Sequence, residues 1–163
     1  MGIDPSLAST GYAFLKYHNN QFTALNFGEI KTSAQNKLSE RLVLIHHTIS
    51  ALMKTYSPTE VAIEEVFYAA NPKVALTMGH ARGAVLVAAA LGGLIIAEYS
   101  PREIKMAVTG YGNASKEQVR RMVLTQLTLN STAIGYDVAD AFAAAICHCH
   151  RSKSQFGVMG RNS

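Results

Sequence analysis

Long hydrophobic runs are missing from this sequence. The most apolar stretch, Ala84 to Ile96, is interrupted by Gly92-Gly93 and falls short of the roughly 20 residues a membrane-spanning helix needs. Cysteine is scarce: there are two in 163 residues, Cys147 and Cys149. A pair so close together offers no disulfide framework, and reduced cytosolic thiols fit it best. No charged-then-apolar leader with a cleavage site is visible, so a secretory route is not expected. Repeats and composition shifts that would mark a linker are also lacking, and the length fits one domain. Acidic residues are the minority charge, 11 against 15 Lys and Arg, giving a net charge of +4 and a pI near 9.1. That balance permits a polyanionic partner without requiring one.

What is present reads as an alternation of strands and helices. Gly2-Ile3-Asp4-Pro5 is a short strand ending in a turn, and Thr10 to Tyr17 and Gln21 to Lys31 are aromatic-rich strands. His18-Asn19-Asn20 between them is a hairpin signal. Leu38, Leu42, Ile45, Ile49 and Leu52 recur at helical spacing, and Ser57-Pro58 ends that helix. Val61 to Phe67 is a buried strand. Asn71-Pro72 opens a helix to about Leu91, with Asn as cap and Pro at the first position. Its Gly79 and Gly83, four apart, offer a face for close approach of another backbone. Leu94 to Tyr99 is a further strand.

Two capping boxes, Ser100 with Glu103 and Ser115 with Gln118, open two short helices. An Ala-rich helix starts near Tyr136-Asp137 and runs through Ile146. Residues 1–150 form the domain, and 151–163 read as a basic, disordered tail. The order predicts an α/β fold: a mixed five-stranded sheet, an antiparallel hairpin plus parallel strands, with helices on both faces.

The chemistry lies in carboxylates. Asp4 ends a strand, where α/β sheets present their functional groups. If the first strand and the Val61 strand lie side by side and parallel, Asp4 and Glu64 emerge at one edge. Asp137 and Asp140 are three apart on one helix and face the same way, in an unusually apolar setting. Four such acids together repel unless cations sit among them. Oxygen ligands of this kind suit Mg²⁺ or Mn²⁺, and two such ions can align a water and stabilise the leaving 3′ oxygen of a phosphodiester. Lys105 and Lys116, in the two capped helices, can contact phosphate. Phe67 and Tyr68, just past the Glu64 strand, can wedge between or stack on bases.

Four blocks together resemble the RuvC family of bacterial crossover (Holliday) junction endonucleases, whose fold is RNase H-like. They are Gly2-Ile3-Asp4-Pro5 with Thr10-Gly11-Tyr12; Ala62-Ile63-Glu64-Glu65-Val66-Phe67 with Asn71; Gly79-His80-Ala81-Arg82-Gly83; and Asp137-Val138-Ala139-Asp140-Ala141 with Cys147-His148-Cys149-His150. The resemblance implies that Asp4, Glu64, Asp137 and Asp140 bind two Mg²⁺ and carry catalysis. It selects Glu64 over Glu65, which point to opposite strand faces. It matches Lys105 and Lys116 to active-site and DNA-binding lysines, Phe67 to an aromatic engaging bases at the crossover, and Arg82 to the DNA-binding set. It further implies a cytoplasmic bacterial homodimer, nicking two strands of a four-way junction symmetrically in recombination and repair, and working with the RuvA–RuvB branch-migration complex.

Two departures qualify the match. Only Met1 precedes Gly2, so the first strand is very short where the family has several apolar residues. Ser6 stands where the family has Gly, followed by Leu7 and Ala8 where more polar residues are usual. A binding-only junction protein with an inert site, or another RNase H-like nuclease, are therefore the rival readings. An actin-like ATPase or sugar kinase also opens with this strand pair but needs a second domain. Cys147-His148-Cys149-His150 has the residue types of a zinc site, yet helical neighbours two apart point apart, so the cluster reads as a buried helix end.

Overall fold

The computed structural model describes residues 1–65, 72–130 and 134–159, with the backbone alone for 72–74 and 153–159. Its elements in chain order are β1 (Gly2–Asp4), β2 (Ser9–His18), β3 (Gln21–Lys31), α1 (Leu38–Tyr56), β4 (Glu60–Glu64), α2 (Pro72–Leu91), β5 (Ile95–Tyr99), α3 (Pro101–Thr109), α4 (Lys116–Leu127) and α5 (Tyr136–Met159). The five strands form one mixed sheet in the order β3-β2-β1-β4-β5. β1 runs antiparallel to β2 and parallel to β4, and β4 runs parallel to β5. The architecture is the one the sequence predicts.

Local chemistry explains most boundaries. Asn19 and Asn20 turn the β2–β3 hairpin with φ of 49° and 63°, a left-handed pair that matches the twist of the flanking strands. Ser100 and Ser115 cap α3 and α4, each accepting from the third backbone N–H while Glu103 or Gln118 returns the bond. Gly110, at φ 75°, closes α3 in the conformation glycine adopts freely.

The sheet separates two cores. One lies between the sheet and α3, α4 and α5, and is centred on Ala13, Ala62, Val123, Phe142 and Ile146. The other lies beneath α1 and α2 and is built on Ile3, Phe14, Ile45, Ile49, Val61, Ile63 and Val85. Strand alternation supplies this division: Val61 and Ile63 turn to one core and Ala62 to the other.

Four details differ from the sequence reading. The buried stripe of α1 is Ile45, Ile49 and Met53, flanked by Leu42 and Leu52, while Leu38 is 41% exposed. Leu38 is the first helical residue. β4 ends at Glu64 and not at Phe67; residues 66–71, which include Phe67, Tyr68 and Asn71, lie outside the described ones. α5 continues past Ile146, and past Arg151 where a disordered tail was expected, to Met159. No Gly or Pro interrupts 147–156, Ser152 Oγ donates to the His148 carbonyl, and Arg151 pairs with Glu103 at 2.6 Å. Finally, among the described residues nothing comes within 4 Å of a Cβ placed at Gly79 or Gly83, so the close approach expected there is not made by them.

Candidate active site

The site begins with sheet register. Gly2 pairs with Ala62 and Ile3 with Ile63 across the parallel β1–β4 ladder, so Asp4 and Glu64 are the next residues along and finish side by side. Alternation puts both on the face of Gly2 and Ala62, toward α5; Glu65 falls on the other face.

Gly11, opposite Asp4 in β2, then brings the helix down onto them. A Cβ there would lie 2.0 Å from the Asp137 carbonyl oxygen, and one at Gly2 would lie 2.0 Å from that of Ala141. The two glycines form a groove in which the α5 backbone rests directly on the sheet. This seating lowers Asp137 and Asp140, in the first turns of α5, to the same edge as Asp4 and Glu64. A helix N-terminus favours carboxylates there. All four predicted acids are therefore brought to one place, each half-buried.

Their mutual field is visible in their ionisation. Burial first, then the carboxylates of Asp140, Glu64 and Asp137, raise the Asp4 pKa to about 7 against the pull of Lys116. Burial and Asp140 likewise raise Glu64, against Lys116 and Lys105. Lys116, first residue of α4, donates from Nζ to Asp140 Oδ2 at 2.9 Å. Lys105 on α3 is half-buried and within the field of Glu64. Both predicted lysines thus face the acids.

The donor set fits hard divalent cations: oxygen only, and crowded enough that one acid holds its proton near neutrality. As the side chains stand, no three Asp, Glu, His or Cys residues among the described ones converge closely enough to hold a single ion. Loading a cation would therefore require carboxylate reorientation.

Arg82, expected in the DNA-binding set, meets two groups of this chain. Its side chain is 14% exposed; Nη1 donates to the Glu64 carbonyl at 2.6 Å and Nη2 meets Glu98 at 2.5 Å. A guanidinium held on both sides positions the end of β4. Phe67 and Tyr68 lie outside the described residues.

Three features escaped the sequence reading. The first is the glycine groove beneath α5. The second is Glu29 with Lys31 at 2.8 Å, beside the Asp137 turn: Glu29 Oε1 lies 2.9 Å from a Cβ placed at Gly135. Alternation from the Gly11–Glu29 pair is the signal that places Glu29 on this face. The third joins α5 to the sheet: His148 Nδ1 meets the Tyr99 hydroxyl at 2.7 Å and Nε2 meets Glu60 Oε2 at 2.6 Å. Both ring nitrogens are thus engaged and Cys147 is fully buried, but α5 continues to Met159, so the cluster lies within the helix and not at the buried helix end expected.

A pH dependence follows from Asp4. Its folded pKa is about 7, whereas an unfolded Asp titrates near 4. Between those values the folded chain holds a proton that the unfolded chain has released, so stability falls as pH rises and levels off above. With divalent cations chelated, denaturant unfolding from pH 5 to 8 should show a loss on the order of a few kcal/mol, and Asp4→Asn should remove most of it. Stability that is flat or rises across that window in the wild type contradicts the placement of Asp4.

Comparison with known proteins points one way. A family model described as "Crossover junction endodeoxyribonuclease RuvC" matches residues 1–148. The crossover junction endodeoxyribonuclease RuvC of Ruminiclostridium cellulolyticum is 44% identical over 159 residues, covering 96% of each chain. Among solved structures, Thermus thermophilus RuvC in complex with Holliday junction substrate superposes with a TM-score of 0.89 at 33% identity, covering 94% of each chain. The yeast mitochondrial Holliday junction resolvase Ydc2 shares the fold, with a TM-score of 0.63 at 13% identity over 95% of this chain and 82% of its own.

Proposed function

Because the chain belongs to the RuvC family of crossover junction endodeoxyribonucleases, we propose that its four-carboxylate edge resolves four-way (Holliday) DNA junctions, nicking two strands symmetrically in homologous recombination and DNA repair. The observation that carries the assignment of residues is the convergence of Asp4 and Glu64, from paired parallel strands, with Asp137 and Asp140, from the helix seated on Gly11.

Asp4, Glu64, Asp137 and Asp140 would hold two Mg²⁺, with Mn²⁺ as a substitute. Such ions supply a hydrolytic nucleophile at neutral pH and Lewis-acid stabilisation of the leaving oxygen. The chain's own contribution is a rigid edge. Asp4 is fixed by β1, Glu64 by β4 with Arg82 on its carbonyl, and the two α5 acids by the glycine groove. Lys105 and Lys116 supply positive charge to the scissile phosphate. Phe67 and Tyr68 are assigned the base contacts.

Lys116→Ala should slow junction cleavage by about 10²-fold or more and reduce the salt slope of junction binding by about one unit. Fluorescence anisotropy across a salt series reads the second effect. An unchanged slope removes Lys116 from phosphate contact.

A symmetric reaction calls for a symmetric enzyme, and an isologous homodimer matches the approximate two-fold of a four-way junction. Its interface is proposed on the outer stripe of α2, where Leu76, Val87 and Leu91 are 63%, 53% and 78% exposed and Gly79 and Gly83 leave room for a partner backbone. A cruciform plasmid tests paired incision: coupled nicks give linear product in one encounter, whereas independent nicks accumulate open circles. Cooperation with RuvA–RuvB and a cytoplasmic bacterial setting complete the proposal; among the described residues no helix is long and apolar enough to cross a membrane.

The rival reading of an inert junction-binding protein rested on the shortened first strand. β1 has three residues, but it is paired along both edges, and the Ala62 N–H extends the ladder to the Met1 carbonyl at 2.8 Å. The observed pairing supports a competent site.

A further inference from the structure

We infer that Lys116 is the resident counter-cation of Asp140, occupying the carboxylate that a divalent cation must engage, so that cation loading and release of the lysine are a single exchange. The inference rests on the metal-site reading above and assigns Lys116 a role beyond phosphate contact.

The geometry is that of a movable cation on a fixed anion. Lys116 Nζ lies 2.9 Å from Asp140 Oδ2, with the lysine side chain 68% exposed and that of Asp140 only 16%. Asp140 is held in α5, whereas the lysine stem can swing into solvent.

Its position in the chain has the same meaning. Lys116 is the first residue of α4, directly after the Ser115 cap. A helix N-terminus disfavours cations and favours acids. Local helix energetics therefore argue against lysine at this point, and the carboxylates across the site compensate.

Exchange follows from exclusion. An oxygen that accepts a charge-assisted hydrogen bond from an ammonium cannot also give its full lone-pair density to a divalent ion, and the two cations repel at that separation. Loading must displace Lys116 from Asp140. The freed ammonium remains tethered at the start of α4, available to a phosphate of bound DNA. The lysine is then deployed toward DNA when the carboxylates are loaded, and returns to Asp140 when they are not.

The test is Mn²⁺ binding to the full chain without DNA, by titration calorimetry at low ionic strength. The proteins are the wild type, Lys116→Met, Asp140→Asn and the double variant. Direct exchange requires Lys116→Met to bind Mn²⁺ about fivefold more tightly or better, because a partly exposed pair of this kind competes by roughly that factor. It also requires the gain to disappear when Asp140 is already Asn. Lysine side-chain NMR of the wild type should show the Lys116 Cε and Nζ signals shifting as Mg²⁺ is added.

Equal affinity of wild type and Lys116→Met overturns the exchange and leaves the metal site standing. A gain of equal size in the Asp140→Asn background reduces Lys116 to a diffuse repulsive charge and also overturns it. Absence of Mn²⁺ binding to all four proteins, each shown to be folded, overturns the exchange together with the metal-site reading.

Discussion

Asp4→Asn is expected to lower junction cleavage by about 10³-fold or more while junction affinity changes less than about threefold. The substitution is nearly isosteric, and Asp4 lies at the floor of the site, beneath α5 and between β2 and β4. It removes an anion that the site needs for cation binding and that DNA phosphates do not seek. Loss of function by unfolding is separable, because the stability change has the opposite sign. Above pH 7 the wild type carries a buried carboxylate crowded by three others. Asn relieves that repulsion and should raise the melting temperature of the cation-free protein. Glu64→Gln and Asp140→Asn should share the cleavage defect. A variant that folds, binds junctions and cuts within about tenfold of the wild type, well short of what an electrostatic ligand contributes, removes its residue from the site.

Gly11→Ala has the second large effect, and it acts through packing. The added methyl would lie 2.0 Å from the Asp137 carbonyl oxygen and 2.4 Å from its carbonyl carbon. Both are backbone atoms and cannot rotate aside. The first turn of α5 must lift by an ångström or more, at a cost of about 1–3 kcal/mol for overpacking. Asp137 and Asp140 move with that turn, and a displacement of about 1 Å at a catalytic centre commonly costs on the order of 10²-fold in rate. The melting temperature and the cleavage rate should therefore fall together. Wild-type stability and rate in Gly11→Ala contradict the seating of α5 on β2.

Much of this was legible because it is written locally. Asn19-Asn20 specify a hairpin by their conformational tolerance, Ser100 and Ser115 announce helix starts, and the position of Asp4 at a strand end is a property of four consecutive residues. The acids could be grouped because strand parity and helical spacing state which face a residue takes. Partners are another matter. Lys116 meets Asp140 across 24 positions and His148 meets Glu60 across 88. No periodicity encodes such a meeting. Arg82 was placed in the DNA-binding set along with its motif block, whereas the Glu64 carbonyl that it meets is a backbone atom with no signature in sequence. Gly2 and Gly11 were read as parts of turn-and-strand motifs. Their larger role, admitting a helix backbone to the sheet, depends on a helix more than a hundred residues away. The long α5 was underestimated for a simpler reason: basic, polar composition after Arg151 resembles a tail, but it contains no helix breaker before Gly157.

The most direct test uses a synthetic four-way junction with each strand labelled in turn, incubated with the wild type or Asp4→Asn, with Mg²⁺ or with chelator, and a linear duplex alongside. The expected result is a pair of nicks at symmetry-related positions in opposing strands, dependent on Mg²⁺ and on Asp4, with the duplex left intact. Junction cleavage that persists in chelator or in Asp4→Asn, or equal cutting of the duplex, would contradict a carboxylate-centred, junction-specific nuclease.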